Sequence, residues 1–545
     1  MAVSLVLFGQ VPAVAAPPKH DFDANTLASY VSQRFSSAVP PTVIKAVLAR
    51  EGFSKLDLDL ITAQGPSPRP LFNATASYVS DPAVMFAQQI SRDTLRCPSS
   101  DPSCEVDTQT EPQMASNPAN GANMVGVFQQ GRYPDGGSVD PGFATSFDGG
   151  KTWPYKGSAP KLTVAVGGRF ARGSDAVVGF DRKHNSVLFN TLDVSVQGCA
   201  DFCDSAVAVN ISNNAGRSFG SPVIAHEDAS DPKGSSFVFN DKNWIATDNN
   251  PASPHYGRTY ASWDQVRCQD PSCTTIDQPV VLTYSDNGGK SWSPMIQATN
   301  DQPAQLHGET GSQPVIEPNG DVVITYADVA AGAFTFEGTY KAIRSTDGGK
   351  TWSAPQMIDG ADPASEELNG LRAPNLPSAA TDAKGKIYFA FQDQRFGPGR
   401  NDILLTSSPD EGKTWASSAN ATPSESSLDH FTPAIAATPS GVALTYRTHA
   451  PSNVSSDPTV HAMSRTLNGS AQTTSGPFEL SSPSDASVAA FTTLDGQTLR
   501  FFGDYAGIAP SSVGSNPIWD QSQNFAGQQQ NPTNTHQRTF SAQVK

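Results

Sequence analysis

The chain has 545 residues, enough to bury a large core, and its even texture from about residue 110 onward points to one large repetitive domain rather than several small ones. Its 36 basic against 52 acidic residues leave a formal charge of -16 with no Lys/Arg-rich stretch, which argues against a nucleic-acid partner. No stretch is long and apolar enough to suggest insertion into a bilayer.

In chain order, residues 1–16 come first. Ser4-Leu5-Val6-Leu7-Phe8 is a short apolar core, and Ala13-Val14-Ala15-Ala16 before Pro17-Pro18 has the Ala-x-Ala form of a cleavage site. This reads as a signal peptide whose basic leading segment is missing, as in a truncated start, and it predicts a secreted, extracellular protein. Residues 17–110 differ in texture from the rest of the chain. Leu27, Tyr30, Val31 and Phe35 recur at helical spacing, and a second stretch opens at Pro40-Pro41 and stops at Gly52, so a small helical and irregular N-terminal extension is expected. The six cysteines form three close pairs, Cys97/Cys104, Cys199/Cys203 and Cys268/Cys273, which suits local disulfides in an oxidising compartment. Zinc is the rival reading, but no His-x-His or Cys-x-x-Cys spacing accompanies the pairs. No cofactor and no catalytic metal is expected; a structural calcium on an Asp-rich loop such as Asp248-Asn249-Asn250 stays open.

From residue 111 to 545 an octapeptide Ser-x-Asp-x-Gly-x-x-Trp repeats. It stands as Ser146-Phe-Asp148-Gly-Gly150-Lys-Thr-Trp153 and Ser345-Thr-Asp347-Gly-Gly349-Lys-Thr-Trp352, more loosely as Ser285 to Trp292 and Ser408 to Trp415, and in degenerate form as Ser212 to Phe219. The acid and the glycines suit a tight turn in which a carboxylate caps backbone N–H groups while the Trp packs inward, a folding device rather than a catalytic one. Copies recur every roughly 60 to 70 residues, room for four strands and long loops. Between them runs a second element, a strand, a turn and a β-rich strand ending in an aromatic: Pro112 to Phe128, Asp175 to Phe189, Trp244 to Trp263, Gln313 to Tyr326, Pro377 to Phe391, Pro433 to Tyr446 and Tyr505 to Trp519. These predict an all-β propeller of seven four-stranded blades, with six and a composite closing blade as the alternative.

These Asp boxes make residues 111–545 resemble the sialidase superfamily, whose propellers place such turns on the face opposite the active site. The resemblance implies a glycan-acting site on the face formed by the loops between second and third strands and by those that lead from one blade to the next. Phe128-Gln-Gln-Gly-Arg132 followed by Asp135 and Asp140 is similar to the family's acid-bearing loop, which makes Asp135 or Asp140 the acid/base. Gly308-Glu309-Thr-Gly-Ser312 resembles the strand entry with the activating Glu, and Phe502-Gly-Asp504-Tyr505 the segment with the nucleophilic Tyr. Arg132, Arg395, Arg400 and Arg447 are the candidate substrate-binding arginines, since a guanidinium fork grips a carboxylate with two bonds. The pattern also departs from the family. The Arg-Ile-Pro entry to the first blade is here Pro112-Gln113-Met114, and Ile324-Thr325-Tyr326 stands where a second clamp arginine belongs.

Three functions fit these residues. The leading one is a sialidase-like glycoside hydrolase acting, as a monomer, on a glycan or polysaccharide. The missing arginines favour a non-catalytic propeller that binds glycans or proteins. A polysaccharide lyase would draw on Arg395, Arg400, His430 and His449.

Overall fold

The computed structural model describes residues 81–93, 95, 103–195, 204–229, 238–268, 276–300, 307–330, 338–360, 366–368, 370–397, 399–425, 427–450, 459–494, 497–523 and 535–545. Among them almost every regular element is a strand; helical turns are confined to Val164–Val166, Pro423–Glu425 and Ala486–Val488. The chain is an all-β propeller. Its basic unit is an up-and-down meander such as Glu105–Asn117, Asn120–Arg132, Ser138–Ser146 and Tyr155–Ser158, in which each strand pairs with the next. The first strands of successive units touch in turn around a ring, from Glu105–Asn117 through Arg172–Asp181, Val238–Thr247, His307–Ile316, Ser378–Thr381, Asp429–Thr438 and Gly507–Ser511 back to Glu105–Asn117. They line the axis.

Seven separate blades, and the six-bladed alternative, are both corrected by the hydrogen bonding. Five sheets of four or five strands stand apart, and the remaining strands join into a single twelve-stranded sheet. Single bridging pairs, Ser138↔Gly173 and Thr108↔Gln537, fuse what the repeat pattern reads as distinct units. One separate sheet is also no repeat unit at all: Glu367–Leu368, Leu371–Arg372, Ala490–Leu494 and Gln497–Phe501 come together through a parallel pair at Leu371↔Arg500. No periodicity announces a pairing between segments so far apart in sequence.

The helices expected over residues 27–35 and 40–52 fall outside the described residues. Residues 17–80 lie outside the described residues, as does the signal segment 1–16, and the described remainder up to 110 is strand. Val84–Gln89 pairs antiparallel with the C-terminal strand Gln537–Val544, and the boundary drawn at 111 falls inside Glu105–Asn117. Each expected cysteine pair includes at least one residue outside the described set.

Strands such as Ile387–Asp393 are buried along their whole length. A blade packs a neighbour on each face, so its central strands carry apolar side chains on both sides instead of alternating. The core accordingly sits at the seams: Val323, Val329 and Tyr340 of one unit meet Ile387, Phe389 and Leu404 of the next. The Asp-box tryptophans complete these seams, Trp415 against that cluster and Trp292 against the one holding Leu188 and Trp263.

All five boxes close the same turn between third and fourth strands. In the first, Ser146 Oγ accepts from Gly150 N–H (2.8 Å), and Asp148 Oδ1 accepts from Ser146 Oγ (2.8 Å) and Thr152 N–H (2.9 Å). Asn214 and Asn287 occupy the acid's place in two copies and make the same bond to the backbone N–H four residues on, at 3.1 and 3.0 Å. Gly349 has φ +87°, and a Cβ there would lie 3.0 Å from the Tyr260 ring, which is why the turn needs glycine. Burial works against ionisation of Asp347, yet the bonds from Thr351, Ser345 and Lys350 hold its carboxyl at about 2. Asp148 and Asp410 are lowered in the same way. A depressed carboxyl stabilises the fold above its ordinary 3.8 and loses that contribution as pH falls toward 2. Replacing Asp148, Asp347 and Asp410 together by Asn, which two native boxes already carry, should leave the fold intact and flatten the stability decline over that window, read by urea unfolding.

Candidate functional site in the inner strands

The innermost strands share a device absent from the repeat pattern. Each of five carries a bulge, with register shifts at Thr110/Gln113, Ser174/Val177, Asp241/Trp244, Thr310/Gln313 and Phe431/Ala434. At each bulge one residue takes a left-handed backbone: Glu111 (φ 55°), Asp175 (φ 44°), Lys242 (φ 47°), Gly311 (φ 67°) and Thr432 (φ 53°). Gly311 shows what a merely structural bulge would use. A side chain in this conformation costs about 1–3 kcal/mol, so charged residues at three such places point to a use for their side chains.

Those side chains converge. Gln129 Nε2 donates to Glu111 Oε2 (2.6 Å) and to Ser174 Oγ (2.7 Å), and Ser174 donates on to Asp175 Oδ2 (3.0 Å). Arg132 Nε donates to Gln129 Oε1 (3.0 Å), which orients the amide. Asp504 N–H reaches Glu111 Oε1 at 3.4 Å, and the Asp504 carboxylate is gripped by Arg372 from Nε (2.8 Å) and Nη2 (3.2 Å). The Lys242 ammonium lies 4.0 Å from the centre of the Tyr505 ring and 4.6 Å from that of Trp244. Asp264 accepts from Gln278 Nε2 (2.7 Å). All these charged groups are buried.

Burial first, then the neighbouring carboxylates Asp175 and Asp504, raises the Glu111 carboxyl well above the ordinary carboxylate range. Burial likewise raises Asp264, against the Gln278 bond and Lys242. Tyr505 is pushed well up by burial and by Glu111, Asp175, Asp504 and Asp520, so its phenol stays protonated. Burial lowers Lys242 although four carboxylates oppose it.

Of the residues singled out from sequence, Arg132 and Tyr505 join this cluster. The others are placed elsewhere. Asp135 takes Gly137 N–H (3.0 Å) and pairs with Arg172 (3.2 Å) in the loop between second and third strands. Asp140 lies inside the third strand and accepts from Thr163 Oγ1 (2.9 Å). Glu309 takes Val280 N–H (2.9 Å) and the Thr299 hydroxyl, while the Tyr505 hydroxyl donates to the Ala176 carbonyl (3.4 Å); the acids beside Tyr505 are Glu111, Asp175, Asp504 and Asp520. Arg395 is held by Asp393 (2.7 Å) and Asp359 (3.2 Å), and Arg400 by Asp402 (2.8 Å). Arg447 directs its guanidinium to the carbonyls of Asp520 (2.9 Å) and Phe502 (3.3 Å). The Asp248 carboxylate, offered for calcium, is taken up by its own turn, through Asn250 N–H (3.0 Å) and Ser253. Sequence reasoning missed Glu111, Asp175, Lys242 and Arg372. A signal was present for three: a polar or charged residue just before, or opening, each strand entry, as in Glu111-Pro112, Asp175-Ala176 and Lys242-Asn243.

Two further buried acids, Asp520 and Glu105, border this cluster: Asp520 accepts from the Glu111 backbone N–H, and Glu105 lies close to Arg132. Burial raises Asp520 from its ordinary 3.8 to about 8, against Arg447 and the Thr539 bond, and Glu105 from 4.5 to about 8, against Arg132. A carboxyl raised in the folded state stabilises it fully below the unfolded value, and that stability is lost as pH rises through the folded one. The protein should therefore lose stability between about pH 4 and pH 8. Asp520→Asn should make that slope shallower in urea titrations at pH 5 and pH 8.

The BNR/Asp-box repeat family model matches residues 343–354, the box around Asp347. Comparison with curated proteins finds no match. Among solved structures the chain is similar to a leech intramolecular trans-sialidase, at 14% identity over 66% of this chain and 68% of that one, with a TM-score of 0.41. It is also similar to a protein of unknown function from Dyadobacter fermentans (14% identity, 85% and 100% covered, TM-score 0.43) and to an α-L-arabinanase from Penicillium chrysogenum (13%, 72% and 97%, TM-score 0.41). By its boxes and its strand architecture, the chain is an Asp-box β-propeller.

Proposed function

We propose that the protein is a secreted glycoside hydrolase whose site is the inner-strand cluster. The observation that carries this reading is the convergence of Glu111, Asp175 and Asp504 with Lys242, Arg132 and Arg372 at the axis, three of them on left-handed bulges. Glycosidic cleavage needs a protonated acid to neutralise the leaving oxygen and an ionised carboxylate to meet the positive charge developing at the sugar carbon. Glu111, raised by burial and oriented by Gln129, is the acid. Asp504, paired with Arg372, and Asp175, which accepts from Ser174, supply the negative charge. Tyr505, whose hydroxyl donates to the Ala176 carbonyl, is placed to accept from a sugar hydroxyl. The signal-like segment 1–16 and the paired cysteines fit an extracellular setting.

The test is product release from a panel of sialosides and plant and bacterial polysaccharides, followed by mass spectrometry and by absorbance for unsaturated uronates. Release of a sugar that depends on Glu111 supports the reading; unsaturated products would make the protein a lyase, and binding without release a non-catalytic propeller.

A further inference from the structure

Lys242 is 1% exposed, and its ammonium has no hydrogen-bond partner among the described residues. An ammonium has three donors, and leaving them all unmade in a buried place is expensive unless something else occupies that place in the working state. Its ring neighbours, Tyr505 and Trp244, offer π faces rather than lone pairs. Arg132 Nη2, buried in the same cluster, likewise lacks a partner among the described residues. Both donors need acceptor atoms.

The charge around Lys242 narrows what those acceptors belong to. Arg372 is committed to Asp504 and lies within electrostatic reach of Glu366. Arg132 is committed to Gln129 and the Phe491 carbonyl and lies close to Glu105 and Glu111. Among the described residues Lys242 is left as the cation facing Asp175, Asp241 and Asp264, with Glu111 also in reach. With both arginines already paired, a carboxylate brought in would compete with Asp175 and Asp241 for the single ammonium of Lys242. A sugar hydroxyl meets both needs: it accepts from Lys242 and Arg132 and donates to the surrounding carboxylates.

We infer that the inner-strand cluster binds an uncharged sugar and not an acidic one, and that Lys242 contacts its hydroxyl or ring oxygens directly. This rests on the glycan reading above and names the substrate class that reading leaves open.

Titration calorimetry on the full chain decides it, with neutral oligosaccharides of arabinose, xylose, galactose and glucose set against 3'-sialyllactose and oligogalacturonate. At least one neutral sugar is expected to bind, and no acidic one more tightly. Lys242→Met should weaken that binding by about tenfold or more, the worth of hydrogen bonds to a charged group. Lys242→Arg, which keeps the charge should the Met variant not fold, should weaken it through altered donor geometry. Preference for an acidic sugar would overturn the inference while leaving the glycan reading standing, as would a neutral sugar held equally well by both folded variants. No binding to either set would overturn both.

Discussion

Glu111→Gln is expected to abolish most of the turnover, by a factor of about 10² to 10⁴, the usual contribution of a positioned general acid. The side chain sits at φ 55° on its bulge, where the backbone fixes its direction, and Gln129 Nε2 holds it at 2.6 Å. Gln matches the protonated acid in shape and can accept the same bond but has no proton to give, so the fold should be unaffected. Initial rates on whichever glycan the wild type cleaves, with thermal unfolding as the control, check this. Because Glu111 is raised by burial and must be protonated to act, wild-type activity should fall on the alkaline side, and that limb should vanish from the residual activity of the variant. Asp140→Asn and Glu309→Gln are the counterparts. Their carboxyls bind Thr163 and the Val280 N–H, so folded variants should keep turnover near wild type. A wild-type rate in Glu111→Gln would remove the acid from this position.

Arg372→Met should destabilise the protein by about 3–5 kcal/mol, the usual penalty for leaving a buried charge without its partner. Asp504 is fully buried, and the guanidinium reaches both its oxygens, at 2.8 and 3.2 Å. Arg372 lies in the small sheet that links Leu371–Arg372 to Gln497–Phe501, so its loss acts on the segment carrying Asp504 and Tyr505 as well. Adding Asp504→Asn should recover most of the loss, since the uncompensated charge then disappears. Urea unfolding of the wild type, the single and the double variant gives the comparison; a single variant within about 1 kcal/mol of wild type would show the pair to be effectively solvated.

Much of the fold could be read in the sequence because the boxes are local. Ser146, Asp148, Gly150 and Thr152 satisfy one another within seven residues, so the motif specifies its turn wherever it stands, and five copies imply a repeated strand unit. The loop assignments were legible for the same reason: Asp135, Arg395 and Arg400 do lie between second and third strands. Their roles were not, because a charged loop residue looks the same in sequence whether it meets substrate or, like Arg395, is occupied by Asp393 and Asp359.

By itself, the sequence determined the all-β character, the box turns, the alternation of strand and turn along residues 111–545 and the acidic balance of the whole. These rest on interactions between near neighbours or on composition. Only the tertiary structure decided which sheets stay separate and which fuse, that Val84–Gln89 is a strand paired with the C-terminus, and that Glu111, Asp175, Lys242, Arg372 and Asp504 share one buried place. The physical reason is ring closure. It brings the first strands of distant units to a common axis, where side chains hundreds of residues apart desolvate one another, and that desolvation, not any local motif, sets their charge and chemistry.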